Sequence, residues 1–395
     1  MVPDNELGNF DRLDPIAAGL VTKPKPKQGI MDITPYKSGE ATIEGAVEGA
    51  VQGRARIIKL SANEGAMGPS PRAMAAYQAA ATDLHRYPDI GAKDLRAGLA
   101  EIHDLDTAGI VVGNGSGEII NQLVHAFAGP GDEVVYSAHG FLMYPLAAMA
   151  NGATPVKAPE ENYTASVDAL LSVVTPKTKL VFLANPNNPT GTYLPSSELR
   201  RLRAGLPDDV LFVIDSAYAE FIDHNDYTPG IDLVDGHDNV VMTRTFSKIH
   251  GLAALRIGWA FCPANIARAH DRTRGPFNVN AAAQAASLAA LWDFNHVDRA
   301  RAHNIRWLNW LQNACVRLGL DYIPSVGNFL AIRFSGEDGL SADDAQKFLR
   351  TKGILSRRIT AYGLPNHLRI SVGLEDDNRT VMETLDEFLS IANVP

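Results

Sequence analysis

Five short runs, apolar on both faces, constrain the fold of this chain more than any other feature. Ile110-Val-Val, Glu133-Val-Val-Tyr, Leu180-Val-Phe-Leu, Val210-Leu-Phe-Val-Ile and Asn239-Val-Val-Met are rich in β-branched residues and too short for helices. A strand with one wet face alternates polar and apolar residues. These do not, so both faces are covered, as in a parallel sheet. Helical stretches such as 118–127 and 197–204 lie between them, which gives an α/β class. Beyond residue 280 the pattern changes. A helix over 281–318, a strand over 328–333, a helix over 342–351, a strand over 367–372 and a helix over 379–391 read as a smaller α+β domain. The division is an N-terminal arm (1–56), a large domain (57–280) and a small domain (281–395).

The 395 residues exceed a single typical core, which agrees with two domains. Composition (46% hydrophobic, 21% charged) is that of a soluble globular protein. The net charge of −9 argues against nucleic-acid and acidic-membrane partners, because no basic excess exists to neutralise phosphates. An acidic chain can still hold an anionic ligand through local dipoles and a few arginines. Cys262 and Cys315 are far apart and in no metal-like spacing, so no metal site is expected and a reduced cytoplasm is. The N-terminus has no apolar secretory core, and no run is long and apolar enough to span a bilayer. Lys23-Pro-Lys-Pro-Lys27 reads as an extended arm; the short repeat at 45–53 goes with no motif.

Ligands of open α/β sheets sit where strands end and loops begin, and four motifs fall at such places. Gly113-Asn-Gly-Ser-Gly-Glu118 follows a strand and opens a helix. Its glycines let backbone approach an anion, with Ser116 and Gly117 as phosphate donors at the helix N-terminus. An ordinary turn capped by Ser116 is the simpler alternative. Asn185-Pro-Asn-Asn-Pro-Thr-Gly191 fixes a rigid loop in which Asn188 can bond a ring oxygen; left-handed turn asparagines are its alternative. Asp215 follows five apolar residues and is poised for burial, which calls for a cationic partner such as a protonated pyridine nitrogen. Tyr218 can serve the same oxygen as Asn188, while a helix N-cap is the plain role for Asp215. Finally, Lys248 has hydroxyls just before it at Thr245 and Ser247 and a guanidinium eight residues on at Arg256. An amine for a Schiff base, hydroxyls and a bidentate cation for a phosphate, and a carboxylate for a pyridinium together fit pyridoxal 5'-phosphate. Phe141 can stack on its ring or belong to the core. Arg369, a charge inside an apolar strand, is either an edge residue or paired with a carboxylate, plausibly the substrate's.

With these residues in view, the chain resembles the fold-type I pyridoxal-phosphate aminotransferases, and within them the histidinol-phosphate aminotransferase branch. The likeness runs in order from about residue 57 to the C-terminus. It includes Lys59-Leu-Ser-Ala-Asn-Glu64, His85-Arg-Tyr-Pro-Asp89, Pro276-Phe-Asn-Val-Asn280, Tyr362-Gly-Leu-Pro365 and Leu368-Arg-Ile370 besides the four motifs. The resemblance implies a mostly parallel, seven-stranded-type sheet flanked by helices in the large domain. It implies Lys248 as Schiff-base lysine and proton shuttle, Asp215 on the pyridine nitrogen, and Asn188 and Tyr218 on the ring oxygen. Ser116, Gly117, Thr245, Ser247 and Arg256 would take the phosphate, and Tyr87 the phosphate of the neighbouring subunit, hence a homodimer with shared active sites. Arg369 would grip the substrate α-carboxylate, and Asn63 would lie near the substrate.

Departures fall on the substrate side: Gly65-Ala-Met67 replaces Asn-Pro-Leu, Gly117 replaces an acidic residue, and Phe141 replaces a stacking tyrosine. The expected reaction is ping-pong amino transfer between a small-molecule amino donor and a 2-oxo acid acceptor, with histidinol phosphate and 2-oxoglutarate/glutamate as the leading pair. A phosphorylated substrate needs a second anion site, for which Arg357 or Arg358 is the candidate. Rival readings are an aromatic amino acid aminotransferase and a phosphothreonine-type decarboxylase on the same scaffold. A cofactor-binding regulator is disfavoured, because the arm offers no helix-turn-helix.

Overall fold

The computed structural model describes residues 26–27, 29–36, 57–337 and 339–392; most of the arm, including the repeat at 45–53, lies outside them. In chain order the first strands are β1 (Ile58–Lys59), β2 (Ile110–Gly113), β3 (Glu133–Ser137), β4 (Thr154–Ala158), β5 (Glu160–Glu161) and β6 (Thr164–Ala165). Then come β7 (Thr178–Ala184), β8 (Leu211–Asp215), β9 (Val240–Thr245) and β10 (Gly258–Phe261). The last are β11 (Tyr322–Ile323), β12 (Phe329–Arg333), β13 (Ile354–Leu355), β14 (Arg357–Ile359) and β15 (Leu364–Ser371).

Seven of these form one sheet in the order β2-β10-β9-β8-β7-β3-β4. Every pairing is parallel except those of β10, which runs against both its neighbours. The five both-face apolar runs are β2, β3, β7, β8 and β9. Every residue of β2, β8 and β9 is buried, whereas the edge strand β4 is half exposed. Helices cover both faces. Ile119, Leu123 and Val124 of the helix Ser116–Phe127 pack on one side. Leu95, Leu99, Leu199 and Leu202 from helices Lys93–His103 and Ser196–Gly205 pack on the other.

A second sheet, β11-β12-β15-β14, is antiparallel throughout. It shares a core with the helices Phe294–Arg317, Ala342–Thr351 and Glu375–Ala392. β1 pairs in parallel with β13, and Ile58 and Leu60 enter this second core, so the chain joins the large sheet only at β2.

Two sequence expectations change. The helix expected over 281–318 is two helices, Ala281–Leu291 and Phe294–Arg317, because Asp293 accepts the His296 N–H at 3.3 Å and caps a fresh start. The last helix begins at Glu375, ahead of 379, with Glu375, Asp376 and Asp377 in its first turn, where the dipole favours anions. Cys262 and Cys315 are buried and unpaired. Among the described residues no helix is long and apolar enough to cross a membrane, and no group of acidic, histidine or cysteine side chains could hold a metal ion.

Candidate active site

The C-terminal ends of β2, β7, β8 and β9 deliver the four motifs to one cleft of about 650 Å³. Register makes this possible: Ala184 lies beside Asp215, Asp215 beside Thr243, and Gly258 between Gly113 and Thr245. Lys248, Asp215, Tyr218, Asn188, Ser116, Gly117, Phe141, Thr245, Ser247, Arg256, Arg369, Asn63 and Arg357 all line it.

One end is built for an anion. Gly115, at φ +84°, caps the helix, so Ser116 is its first residue and not its N-cap. The first N–H groups of a helix have no intrahelical partner and carry the positive dipole end. Arg256 Nη1 donates to Ser247 Oγ at 3.1 Å, and the Ser247 N–H donates to Thr245 Oγ1 at 3.1 Å. The guanidinium lies so close to the loop that a Cβ on Gly115 would be 2.3 Å from Arg256 Nη2. Arg256 itself sits at φ +54°, a left-handed conformation that costs a non-glycine residue about 1–3 kcal/mol and concentrates at functional sites.

The other end carries Asp215, buried at the close of β8 and capping no helix. Tyr144 donates its hydroxyl to Oδ2 at 2.8 Å, and Thr243 donates to Oδ1 at 3.3 Å. Burial pushes the Asp215 carboxyl up, and these two donors pull it back. A fixed, desolvated carboxylate with neutral donors is suited to a cationic ring nitrogen. Tyr144 is locked in turn by stacking on Phe182, with ring centroids 4.6 Å apart.

Between the two ends stands Lys248. Its Nζ donates to the Ala62 carbonyl at 3.2 Å and lies 5.7 Å from the centre of the Tyr218 ring. Burial, helped by the charge of Arg369, lowers its amine to about 7, so a large neutral fraction exists near neutral pH. Tyr218, pushed up to about 12 by burial, accepts from Asn63 Nδ2 at 3.0 Å. Asn63, at φ +54°, is held by Ser371 Oγ, which accepts its backbone N–H at 2.9 Å.

The remaining wall comes from the small sheet. Arg369 lies on β15, an interior strand, so it is not an edge residue. Its Nη1 donates to Asn188 Oδ1 and its Nη2 to the Ser61 carbonyl, both neutral oxygens, while Nε has no partner among the described residues. Arg357 stands directly opposite Arg369 across β14 and β15 and also faces the cleft. Two like charges in that relation oppose each other unless an anion sits between them. Tyr36, from the described part of the arm, has its ring 5.7 Å from the Arg357 guanidinium and lines the cleft too. Arg358 is turned away: it pairs with Asp343 at 2.6 Å and donates to Thr360 and the Pro365 carbonyl.

Tyr87 is not part of this cleft. It is 82% exposed and stacks on Phe277, ring centroids 4.6 Å apart. Sequence reasoning overlooked Tyr144, Thr243 and Tyr36. Thr243 left a signal, since Thr243 and Thr245 share one face of a strand with period two. Tyr144 and Tyr36 left none.

The cleft's residues fit pyridoxal phosphate: an anion cradle at one end, a desolvated carboxylate at the other, a low-pKa lysine between. Comparison with known proteins agrees. The model of the family "Aminotransferase class I and II" matches residues 55–385. A histidinol-phosphate aminotransferase of Paramagnetospirillum magneticum is 54% identical over 93% of this chain and 99% of its own. One from Rhodopseudomonas palustris is 50% identical over 94% of this chain and 100% of its own. Among solved structures, the Sinorhizobium meliloti histidinol-phosphate aminotransferase in complex with pyridoxal-5'-phosphate superposes with a TM-score of 0.81. It is 29% identical and covers 85% of this chain and 92% of its own.

Proposed function

The chain belongs to the class I and II aminotransferases, pyridoxal-phosphate enzymes of fold type I, and we propose that it transfers an amine between histidinol phosphate and the 2-oxoglutarate/glutamate pair. The observation that carries the substrate reading is the cross-strand pair Arg357 and Arg369, both buried and facing the cleft. Histidinol phosphate bears a phosphomonoester where an amino acid bears its α-carboxylate. Two opposed guanidiniums suit a dianion, and either alone suits a carboxylate.

In this reading Ser116, Gly117, Thr245, Ser247 and Arg256 hold the cofactor phosphate, Asp215 the pyridine nitrogen, and Asn188 and Tyr218 the ring oxygen. Phe141 covers the ring face. The cofactor supplies an aldehyde that takes up the amine and a ring that draws electrons from the substrate Cα. Asp215, whose carboxylate accepts from the Tyr144 and Thr243 hydroxyls, would hold the ring-nitrogen proton in place. Lys248 anchors the cofactor and then, as a free amine, removes the proton from the substrate Cα. Its lowered pKa leaves it able to accept that proton near neutrality. Arg369 and Arg357 orient the substrate so that this hydrogen faces Nζ, and Asn63 supports Tyr218 beside it.

We also read the protein as a cytoplasmic homodimer of histidine biosynthesis with shared active sites. The Tyr87–Phe277 stack, exposed and outside its own chain's cleft, supports a role for Tyr87 at the partner's phosphate. The division into arm (1–56), cofactor domain (57–280) and closing domain (281–395) goes with this reading. The test is a single half-reaction of the cofactor-loaded protein with L-histidinol phosphate, L-phenylalanine and L-glutamate in turn, followed by the cofactor's absorbance. Rapid conversion by histidinol phosphate and by glutamate is expected. Conversion by phenylalanine but not histidinol phosphate would make it an aromatic aminotransferase, and release of carbon dioxide a decarboxylase.

A further inference from the structure

Behind the wall that carries Phe141 and Asn188 lies a carboxylate that the chemistry above does not use. Glu160, on β5, has a side chain only 2% exposed and pairs with His139, itself 20% exposed. One oxygen accepts the His139 backbone N–H at 3.0 Å, and the other accepts from ring Nδ1 at 2.8 Å. Neither residue lines the cleft. Burying a carboxylate costs several kcal/mol, and such pairs rarely add net stability over an apolar substitute of similar volume. The pair is therefore poorly explained by folding energy alone.

What it touches gives a better account. The His139 carbonyl accepts from Asn187 Nδ2 at 3.2 Å, and the same amide donates to Thr190 Oγ1 at 2.9 Å. The Asn187 N–H donates to the Thr192 carbonyl at 2.8 Å, and Thr192 Oγ1 donates to the Tyr163 carbonyl at 2.8 Å, on the β5–β6 hairpin that begins with Glu160. The circuit closes on itself. One arm fixes the backbone two residues before Phe141, and the other fixes the residue next to Asn188. Tyr163, at the turn of that hairpin, also lays its ring against His139 and His367, 6.1 and 5.6 Å away, and His367 is two residues from Arg369 on β15.

We infer that Glu160 is a positioning residue for amino transfer: through His139 it sets the ring-stacking Phe141 and the ring-oxygen ligand Asn188 against the bound cofactor. This rests on the cofactor reading above. The carboxylate accepts from the backbone N–H and the ring N–H at once. A leucine of similar volume offers no acceptor and releases both, whereas a glutamine could keep both by donating its amide N–H to Nδ1 of the other imidazole tautomer. Reacting groups misplaced by about 1 Å cost up to a hundredfold in rate, so a loosened wall shows first in turnover.

The experiment uses the cofactor-loaded protein and compares native, E160L, H139A and H139N. It measures kcat and KM for the amino donor, the visible circular dichroism of the bound cofactor, and the thermal midpoint. E160L and H139A are expected to lower kcat about tenfold and alter the dichroic band, with KM within about threefold of native. H139N, whose side-chain amide can stand in for Nδ1, is expected to keep native kcat and band. The inference fails if E160L retains both, or if H139N falls as far as H139A, which would assign the effect to the ring and not to the carboxylate link. It also fails if the lost activity merely tracks lost folded protein. Should E160L not fold, the H139A and H139N pair decides alone. A native protein with no cofactor band would instead overturn the cofactor reading itself.

Discussion

The two ends of the cleft are built in different ways. The cofactor end comes from strand-end loops of one mostly parallel sheet, each motif contiguous in sequence and delivered by register. The substrate end is assembled from distant pieces: Asn63 is tied to Ser371 and Ser61 to Arg369, each across 308 residues, and Arg357 and Tyr36 come from β14 and the arm. Parallel strands end on one side of their sheet, so local sequence can carry a whole cofactor site. The substrate end draws on both sheets and the arm, so no single stretch of sequence carries it. The difference implies that changes at the cofactor end should abolish chemistry for every substrate, and changes at the far end should sort substrates from one another.

The largest expected effect tests the cofactor end. Lys248→Ala should cost about 10⁴-fold or more in turnover with every amino donor while cofactor stays bound through the phosphate cradle. Turnover near the native rate in a steady-state transamination assay would break the comparison at its root. Next comes the substrate end. Arg369→Gln removes a buried cation worth roughly 2–5 kcal/mol to a bound anion, so kcat/KM for glutamate should fall about a hundredfold or more. The cofactor's absorbance should hardly change. Arg357→Gln should be more selective, raising KM for histidinol phosphate about tenfold and for glutamate less. Equal losses for both would remove the distinction between one arginine and two.

Smaller effects should sharpen the picture. Tyr144→Phe deletes one of two side-chain donors to Asp215, a carboxylate that burial already pushes up. The carboxylate must stay ionised, so activity is lost as pH falls through its pKa, and deleting the donor should move that acid limb upward with about a tenfold fall in kcat. A pH–rate profile checks it. Finally, in protein stripped of cofactor, covalent capture of pyridoxal phosphate needs the neutral Lys248 amine. Its rate should rise with pH and level off above about 7, far below an ordinary lysine. Arg369→Gln, by removing a charge that depresses this amine, should shift the midpoint to higher pH.

Much of the cofactor end was legible in sequence. Both-face apolar runs mark buried strands, and the residues just past their ends must line the crevice above the sheet. The Lys248 segment, Asp215 and the Asn188 loop could therefore be named from local text. The alternative readings of Ser116 and Asp215 as helix caps fell to backbone facts: Gly115 holds the cap position, and Asp215 ends a strand. Tyr144 was invisible because its pairing with Asp215 spans 71 residues and depends on which way a helix faces. Choosing Arg357 over Arg358 needed the pleat, because neighbours in a strand point to opposite faces and only pairing says which face meets the cleft.

By itself the sequence determined the α/β class, the cofactor and most of the residues that line the cleft, since these follow from short-range periodicity and from chemistry carried by contiguous motifs. Tertiary structure decided the break at Trp292–Asp293, the opposed arginines, the Tyr144 brace and the Glu160–His139 pair behind the wall. Each of those depends on strand register, helix orientation or a contact between distant segments. Such relations are selected by packing of the whole chain, and no local window of residues contains them.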